Sequence, residues 1–565
     1  GDAAGSGTAA SGTTAPGTPA RPADAGDIPV TPVQEWLLRG GGWRRFCQWA
    51  PVTVPPGLTA ADLRDRLGTL AADHGLLRAT VLGASRGPVP GEGGRGAGGS
   101  RRRPRITVPA LPDDPTDRAD WIRAVGDAVL VTHPGHGGRP TPQVLGAVAR
   151  QVIETVDPNS GHMLRAAWFP GDDGTGGLVV LVAHHLAVDG MSWRVILDDL
   201  ARGTSLPETT PFRRWAGFID DERSRRAGAP ADPGRAGGGA DAGGPGAAQG
   251  HPVDGGPAGA WERYLATGDR SALGSRRVDP AVDRAVDAHA GTTVASPEET
   301  SALLDIAASA GRAGSAGTDA GERAERVGLR EVLLAVLAGA VARWRGTRRL
   351  VVDLEGHGRD DDVLTRHGTV ADDLSRTVGW FTTVTPLVLP DPAGPDPAGA
   401  APAGPPSHAS DLGEPGIIDR AREVAREFTR RPGTPVEHSV DCGVCRHGVE
   451  VEVNYLGRLD MGAGSGGDTP ADRRAAPAGE APASGAWTVV TDEAVLEALP
   501  EMPEPDLPRT YAVEATFSVA PSPDGPRVTA RFNLAAAVFG ADDLAALTSA
   551  WRGELGRVVG DHRPR

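Results

Sequence analysis

LVVLVAHHLAVDGMSWRVILDDL, residues 178–200, decides how the rest of the chain is read. Leu178–Ala183 is a short apolar run without polar alternation, the pattern of a strand buried on both faces. From Ser192 onward SWRVILDDL has helical spacing, and Ser192 is the candidate N-cap. His184, His185, Asp189 and Gly190 fall in the crossing between strand and helix, which is rigid at both ends and therefore suits a catalytic side chain. Adjacent residues at a strand end point in opposite directions, so one histidine faces a cleft and the other is structural. A lone histidine here is more often simply packed and hydrogen-bonded; the pair, with Asp and Gly behind it, argues for chemistry.

A second stretch, DLEGHGRDDD at 353–362, ends an apolar strand on Glu355 and continues through Gly356 and Gly358. Missing side chains there permit a sharp turn and close approach by another group. By itself a GxG is weak, and taken alone the stretch is better explained as a charged turn.

Around these two stretches the elements alternate. Helical spacing at 61–82 runs into a short strand, helices are expected at 117–131 and 142–155, and strands at 163–169 and 177–183 flank a Gly/Asp turn. A long apolar helix at 329–345 feeds a strand at 350–355; strands near 448–456, 511–520 and 527–534 and a helix at 541–558 follow. Helices and strands mingle throughout, so the fold class is α/β or α+β, with no fixed-period repeat. Gly/Ala/Pro tracts at 1–27, 83–104, 227–259, 390–415 and 461–487 read as linker and loop insertions. The first residues, GDAAGSG, lack methionine and read as part of a longer polypeptide.

Composition narrows the chemistry. The 58 basic residues are all arginine, so lysine Schiff bases are excluded. A net charge of -15 opposes nucleic-acid binding, with Arg101–Arg103 the sole basic run. The three cysteines, Cys47, Cys442 and Cys445, fit a reducing cytoplasm. Cys442 and Cys445 form a CxxC without a second pair, so no metal site is expected from that spacing. No apolar run reaches the roughly 20 residues of a membrane span, and no signal peptide is expected.

Taken together, HHLAVDGMSWRVIL, EGHGRD (355–360), SRTVGWFTTVTPLVL (375–389) and VNYLGRL (453–459) resemble the epimerization domains of nonribosomal peptide synthetases. TPVQEW (31–36) and GHMLRAAWF (161–169) match that pattern too, so the resemblance covers nearly all the ordered chain in family order. HHxxxDG is shared with condensation domains and chloramphenicol-acetyltransferase-like enzymes; the SWRVIL, EGHGR and VGWFT flanks favour an epimerase. Two places depart from the pattern: VDCGVCRHG (440–448) replaces a glycine-rich stretch with an aromatic, and Cys47 stands where asparagine is commoner.

The resemblance implies two chloramphenicol-acetyltransferase-like subdomains, 28–208 and 209–565, set as a V around a tunnel, after a flexible linker at 1–27. It implies inversion of the α-carbon of an aminoacyl or peptidyl thioester, without intrinsic cofactor or metal. The substrate is presented on the phosphopantetheine arm of a peptidyl carrier protein, with neighbouring synthetase modules as further partners. His185 and Glu355 are implied as the acid–base pair, with the Glu355 carboxyl raised by desolvation and His185 needing little tuning. His184 is then structural, and Asp189 pairs with Arg359. Gly190 serves the turn, Ser192 caps the helix or lines the channel, and Asn454 and Tyr455 either donate to the thioester oxygen or simply pair within a sheet. Trp380 and Phe381 are core and channel wall. A condensation domain and a noncatalytic carrier-docking module are the alternatives.

Overall fold

The computed structural model describes residues 24–40, 43–83, 104–133, 140–171, 176–203, 210–228, 257–312, 327–359, 373–394, 416–444, 447–458, 487–490, 493–500, 507–522 and 524–562. Most of the 1–27 linker, Arg101–Arg103, Asp360–Asp362, Cys445 and the larger part of each Gly/Pro tract lie outside them.

The strand opened by Leu178 is β7, Leu178–His184, and every residue of it is buried. It lies between two antiparallel neighbours, β2 (Cys47–Thr53) and β6 (Leu164–Phe169). The five-stranded sheet is completed by β5 (Leu130–Thr132), parallel to β6, and by β12 (Thr488–Val489), antiparallel to β2. One face of β7 sends Val179, Leu181 and Ala183 into a core shared with Ile196 and Leu200 of the helix Gly190–Arg202. On the other face Leu178, Val180 and Val182 meet Leu145, Val148 and Val152 of the helix Pro142–Glu154. Burial on both sides is what the unbroken apolar run encodes. A small sheet of β1 (Gly26–Ile28), β4 (Arg105–Val108) and β3 (Thr80–Leu82) flanks this half.

The second sheet has six strands in the order β10 (Thr383–Val388), β9 (Val351–Gly356), β11 (Val451–Arg458), β13 (Val513–Ala520), β14 (Arg527–Ala535) and β8 (Ala288–Val294). Its β9–β11 and β11–β13 pairings are parallel and the others antiparallel. Val352, Leu354, Val451, Val453, Val513 and Phe517 share a core with the helices Leu329–Arg345 and Ala541–His562. Side chains alternate along a strand, so Asp353, Glu355, Glu452, Asn454 and Glu514 occupy the opposite face.

The two halves interlock. Trp487 joins the first core, and Val490, Val495 and Leu499 pack beside Leu145, although all four are C-terminal to a boundary at 208. Leu374, Val378, Trp380 and Phe381 likewise enter the first core, beside Phe212 and Trp215.

Glu554, fully buried on the last helix, accepts from Arg420 (2.7 Å), Arg557 (2.7 Å) and Arg343 (2.9 Å). Burial alone would raise its carboxyl, but Arg557 and Arg420 override that and hold it at about 2. The folded pKa is depressed, so this contribution to stability is complete above the unfolded value near 4.5 and is lost as pH falls toward 2. Urea midpoints measured across that window should therefore fall, and Glu554→Gln should flatten the dependence.

Candidate active site

His184 is the last residue of β7, paired in register with Cys47. Its ring is wholly buried: Nε2–H donates to the Trp43 carbonyl at 2.7 Å, and Nδ1 accepts from the Leu186 N–H at 3.1 Å. Both nitrogens are thus engaged by backbone, and desolvation drives the pKa down to about 3, leaving a neutral structural imidazole.

His185 turns the other way. It stacks on Phe46 with centroids 5.0 Å apart and an interplanar angle of 7°, and Trp380 from the second half approaches to 4.4 Å. Trp193 Nε1–H donates to Gln48 Oε1 at 2.8 Å, which fixes the amide so that its NH2 donates to His185 Nε2 at 2.7 Å. The imidazole is therefore the Nδ1–H tautomer with its Nε2 lone pair occupied by Gln48. Desolvation lowers its pKa to about 4, which corrects the expectation that this histidine needs little tuning. The Leu186 carbonyl beside it is held by Gln34 Nε2 at 3.0 Å.

Asp189, not Ser192, caps the following helix. Its Oδ1 accepts from the Ser192 N–H (2.8 Å) and hydroxyl (2.9 Å), so the capping side chain precedes the helix and Ser192 lies inside its first turn. The other oxygen, Oδ2, accepts from Arg359 Nη1 at 2.6 Å and the Phe381 N–H at 3.1 Å. Burial opposes the charge on Asp189, but Arg359 and these donors outweigh it and hold the carboxyl below its ordinary range. Arg359 also donates to the Thr377 carbonyl (2.9 Å) and lies 4.1 Å over the Phe381 ring. The Ser192 hydroxyl additionally contacts the Gly379 backbone at 2.9 and 3.0 Å. The expected Asp189–Arg359 pair thus stitches the loop after β7 to the segments after β9. Gly190 does not serve the turn as expected: it is the exposed first residue of the helix, without a positive φ, and a Cβ there would meet nothing within 4 Å.

Gly358 is required by geometry. Its φ is +65°, and a Cβ would stand 1.8 Å from the Phe381 carbonyl oxygen. Gly358→Ala should destabilise the chain by at least the ~1–2 kcal/mol of a left-handed alanine, read from the urea midpoint, because the clash adds to the backbone cost.

Glu355 sits near the end of β9, half-buried. Asn454, one strand over on β11, donates its amide to Glu355 Oε2. Desolvation pushes the Glu355 carboxyl up to about 7; a hydrogen bond from Glu452 moderates this and the charge of Glu514 adds to it. Glu452 is raised well above its ordinary value, by burial and then by Glu355 and Glu514. Glu514 is also raised by burial, although Arg509 and Asn533 pull it down. Asp353, one pleat back on β9, accepts from the Tyr511 hydroxyl at 2.9 Å and is pushed by burial to about 7. Tyr455 belongs to the other face of β11 and packs against the second core, so strand alternation separates it from Glu355. Trp380 and Phe381 are both buried, and Trp380 forms the wall against His185.

Sequence reading missed Gln48, Gln34, Asp353, Glu452 and Glu514. The carboxyls do leave a trace, polar residues at every second position in VVDLEG, VEVNY and VEATF. Gln48 leaves none without the register of β2 on β7.

No family model matches the chain. A linear gramicidin synthase of Brevibacillus parabrevis is 27% identical over 391 residues, 65% of this chain and 6% of that protein. Tyrocidine synthase 1 of the same organism is 24% identical over 385 residues, 65% of this chain and 28% of that protein. The chain thus spans under a third of the length of these relatives. Among solved structures, the epimerization domain of the third module of tyrocidine synthetase B has a TM-score of 0.60 at 17% identity, covering 95% of this chain and 98% of that one. SgcC5 of Streptomyces globisporus gives 0.55 at 14% (94% and 98%), and the X-domain from teicoplanin biosynthesis 0.53 at 16% (98% of both). With its HHxxxDG crossing and its mixed sheets, the chain is similar in sequence to segments of nonribosomal peptide synthetases, and its fold is that of their condensation and epimerization domains.

Proposed function

We propose that the chain is an epimerization domain: it inverts the α-carbon, L to D, of an aminoacyl or peptidyl thioester held on the phosphopantetheine arm of a peptidyl carrier protein. The carrier and neighbouring modules belong to the same synthetase system, acting in the cytoplasm. The arm enters a tunnel between the two halves and brings the α-carbon between His185 and Glu355.

The observation that supports this reading is the separation of the two pKa values. His185 lies near 4 and Glu355 near 7, so between those limits the pair holds one proton, and it resides on Glu355. A neutral imidazole and a protonated carboxyl are the base and the acid that inversion needs. His185 Nε2, released from Gln48, takes the α-proton; electrons move into the thioester carbonyl, and Glu355 returns a proton to the opposite face. Imidazolium and carboxylate remain, the form that runs the reaction backward, and solvent exchange resets them. Asn454 holds Glu355, and Glu452 supplies a second hydrogen bond to its carboxylate form.

Amide synthesis by a condensation domain requires no acid at the end of β9, and a noncatalytic docking module requires neither group. The test is to load a carrier with an L-aminoacyl group, add the chain and determine chirality after release. Appearance of the D-aminoacyl thioester supports the proposal. Unchanged chirality with amide formation on supplying a second loaded carrier contradicts it, as does inertness in both assays.

A further inference from the structure

A group of three potential metal ligands lies at the edge of the second sheet. One nitrogen each of His438 and His447 and the sulfur of Cys442 lie within 4.8 Å of one another. His438 and Cys442 are one helical turn apart on the helix Pro435–Cys442, so they share a face. The chain turns at Gly443, with φ of +68°, and His447 comes back against them.

Hydrogen bonding fixes both tautomers. His438 Nδ1 lies 3.0 Å from the Val384 carbonyl oxygen, which only accepts, so that nitrogen carries the hydrogen. His447 Nδ1 lies 2.8 Å from Glu262 Oε1. A carboxylate oxygen also accepts, so this nitrogen too carries a hydrogen. Each ring then turns its Nε2 toward the other, and these atoms are 3.2 Å apart.

We propose that His438 Nε2, His447 Nε2 and Cys442 Sγ bind a zinc-class divalent cation. The N···N separation is close to the ~3.3 Å edge of a tetrahedron with metal–nitrogen bonds of about 2.0–2.1 Å. Mixed imidazole and thiolate donors suit a borderline-soft ion. Val384 and Glu262, each accepting from the nitrogen remote from the metal, orient the rings and raise their basicity. Water completes the coordination. Such an ion ties the helix Pro257–Leu265, the helix Pro435–Cys442 and the approach to β11 onto β10. Val384 is the register partner of Glu355, so the ion braces the edge strand beside that carboxyl.

The test uses the full 565-residue chain, stripped with a chelator and dialysed. Titration with zinc in competition with a chromophoric chelator should give about one equivalent per chain. Cobalt(II) in its place should give an intense thiolate charge-transfer band. Cys442→Ser should abolish the band while Cys47→Ser keeps it. Glu262→Gln, at a side chain 35% exposed, should weaken zinc binding about 10–100-fold, with circular dichroism confirming that each variant is folded. Failure to bind a stoichiometric ion, or a cobalt band that survives Cys442→Ser, overturns the assignment.

Discussion

Glu355→Gln is expected to lower the rate of epimerization by about 10²–10⁴-fold while leaving carrier affinity nearly unchanged. Glutamine keeps the shape and can still accept from Asn454, but it supplies no proton at a pKa near 7. His185→Ala should cost a similar factor for the complementary reason. In the wild-type chain the profile of kcat/KM against pH should be bell-shaped. Its acidic limb, near 4, reports protonation of His185; its basic limb, near 7, reports loss of the proton from Glu355. Both directions need the same single proton in the pair, so the L-to-D and D-to-L profiles should coincide, read from single-turnover rates with each enantiomer.

Arg359→Leu is expected to destabilise the chain by about 3–5 kcal/mol, because it leaves the Asp189 carboxylate buried with hydrogen-bond donors but no countercharge. Asp189→Asn alone should cost a comparable amount by stranding the guanidinium. The double variant should cost much less than the sum, since neither charge is then left unpaired. Urea denaturation of the four chains closes this cycle. Additive losses would mean that the pair does not join the two crossings.

Much of this architecture is written locally. The apolar run of β7, the helix at 329–345 and the final helix carry their own periodicity, and HHLAVDG and EGHGR announce rigid crossings. The Asp189–Arg359 pair was legible through the family resemblance, supported by the apolar strand and helix that flank Asp189. Other features depend on which strands become neighbours. β9, β11 and β13 are about 60 to 100 residues apart in sequence, and only their parallel pairing gathers Asp353, Glu355, Glu452 and Glu514 on one face. The two-residue β12 is too short to have a period at all. The capping role was assigned to Ser192 because serine is a favoured cap, yet Asp189 is equally favoured and stands one residue before the helix. Likewise, the low pKa of His185 comes from burial, among Phe46 and Trp380, neither of which is adjacent in sequence.

The most direct test of a proton pair acting from opposite faces is exchange without inversion. In deuterated water, Glu355→Gln should wash deuterium into the L-aminoacyl thioester through His185 and recover it as L, while His185→Ala should label only the D-aminoacyl thioester through Glu355. If either single variant inverts the carrier-bound substrate as fast as it exchanges the α-hydrogen, or if both label the same enantiomer, the two groups do not divide the α-proton between them.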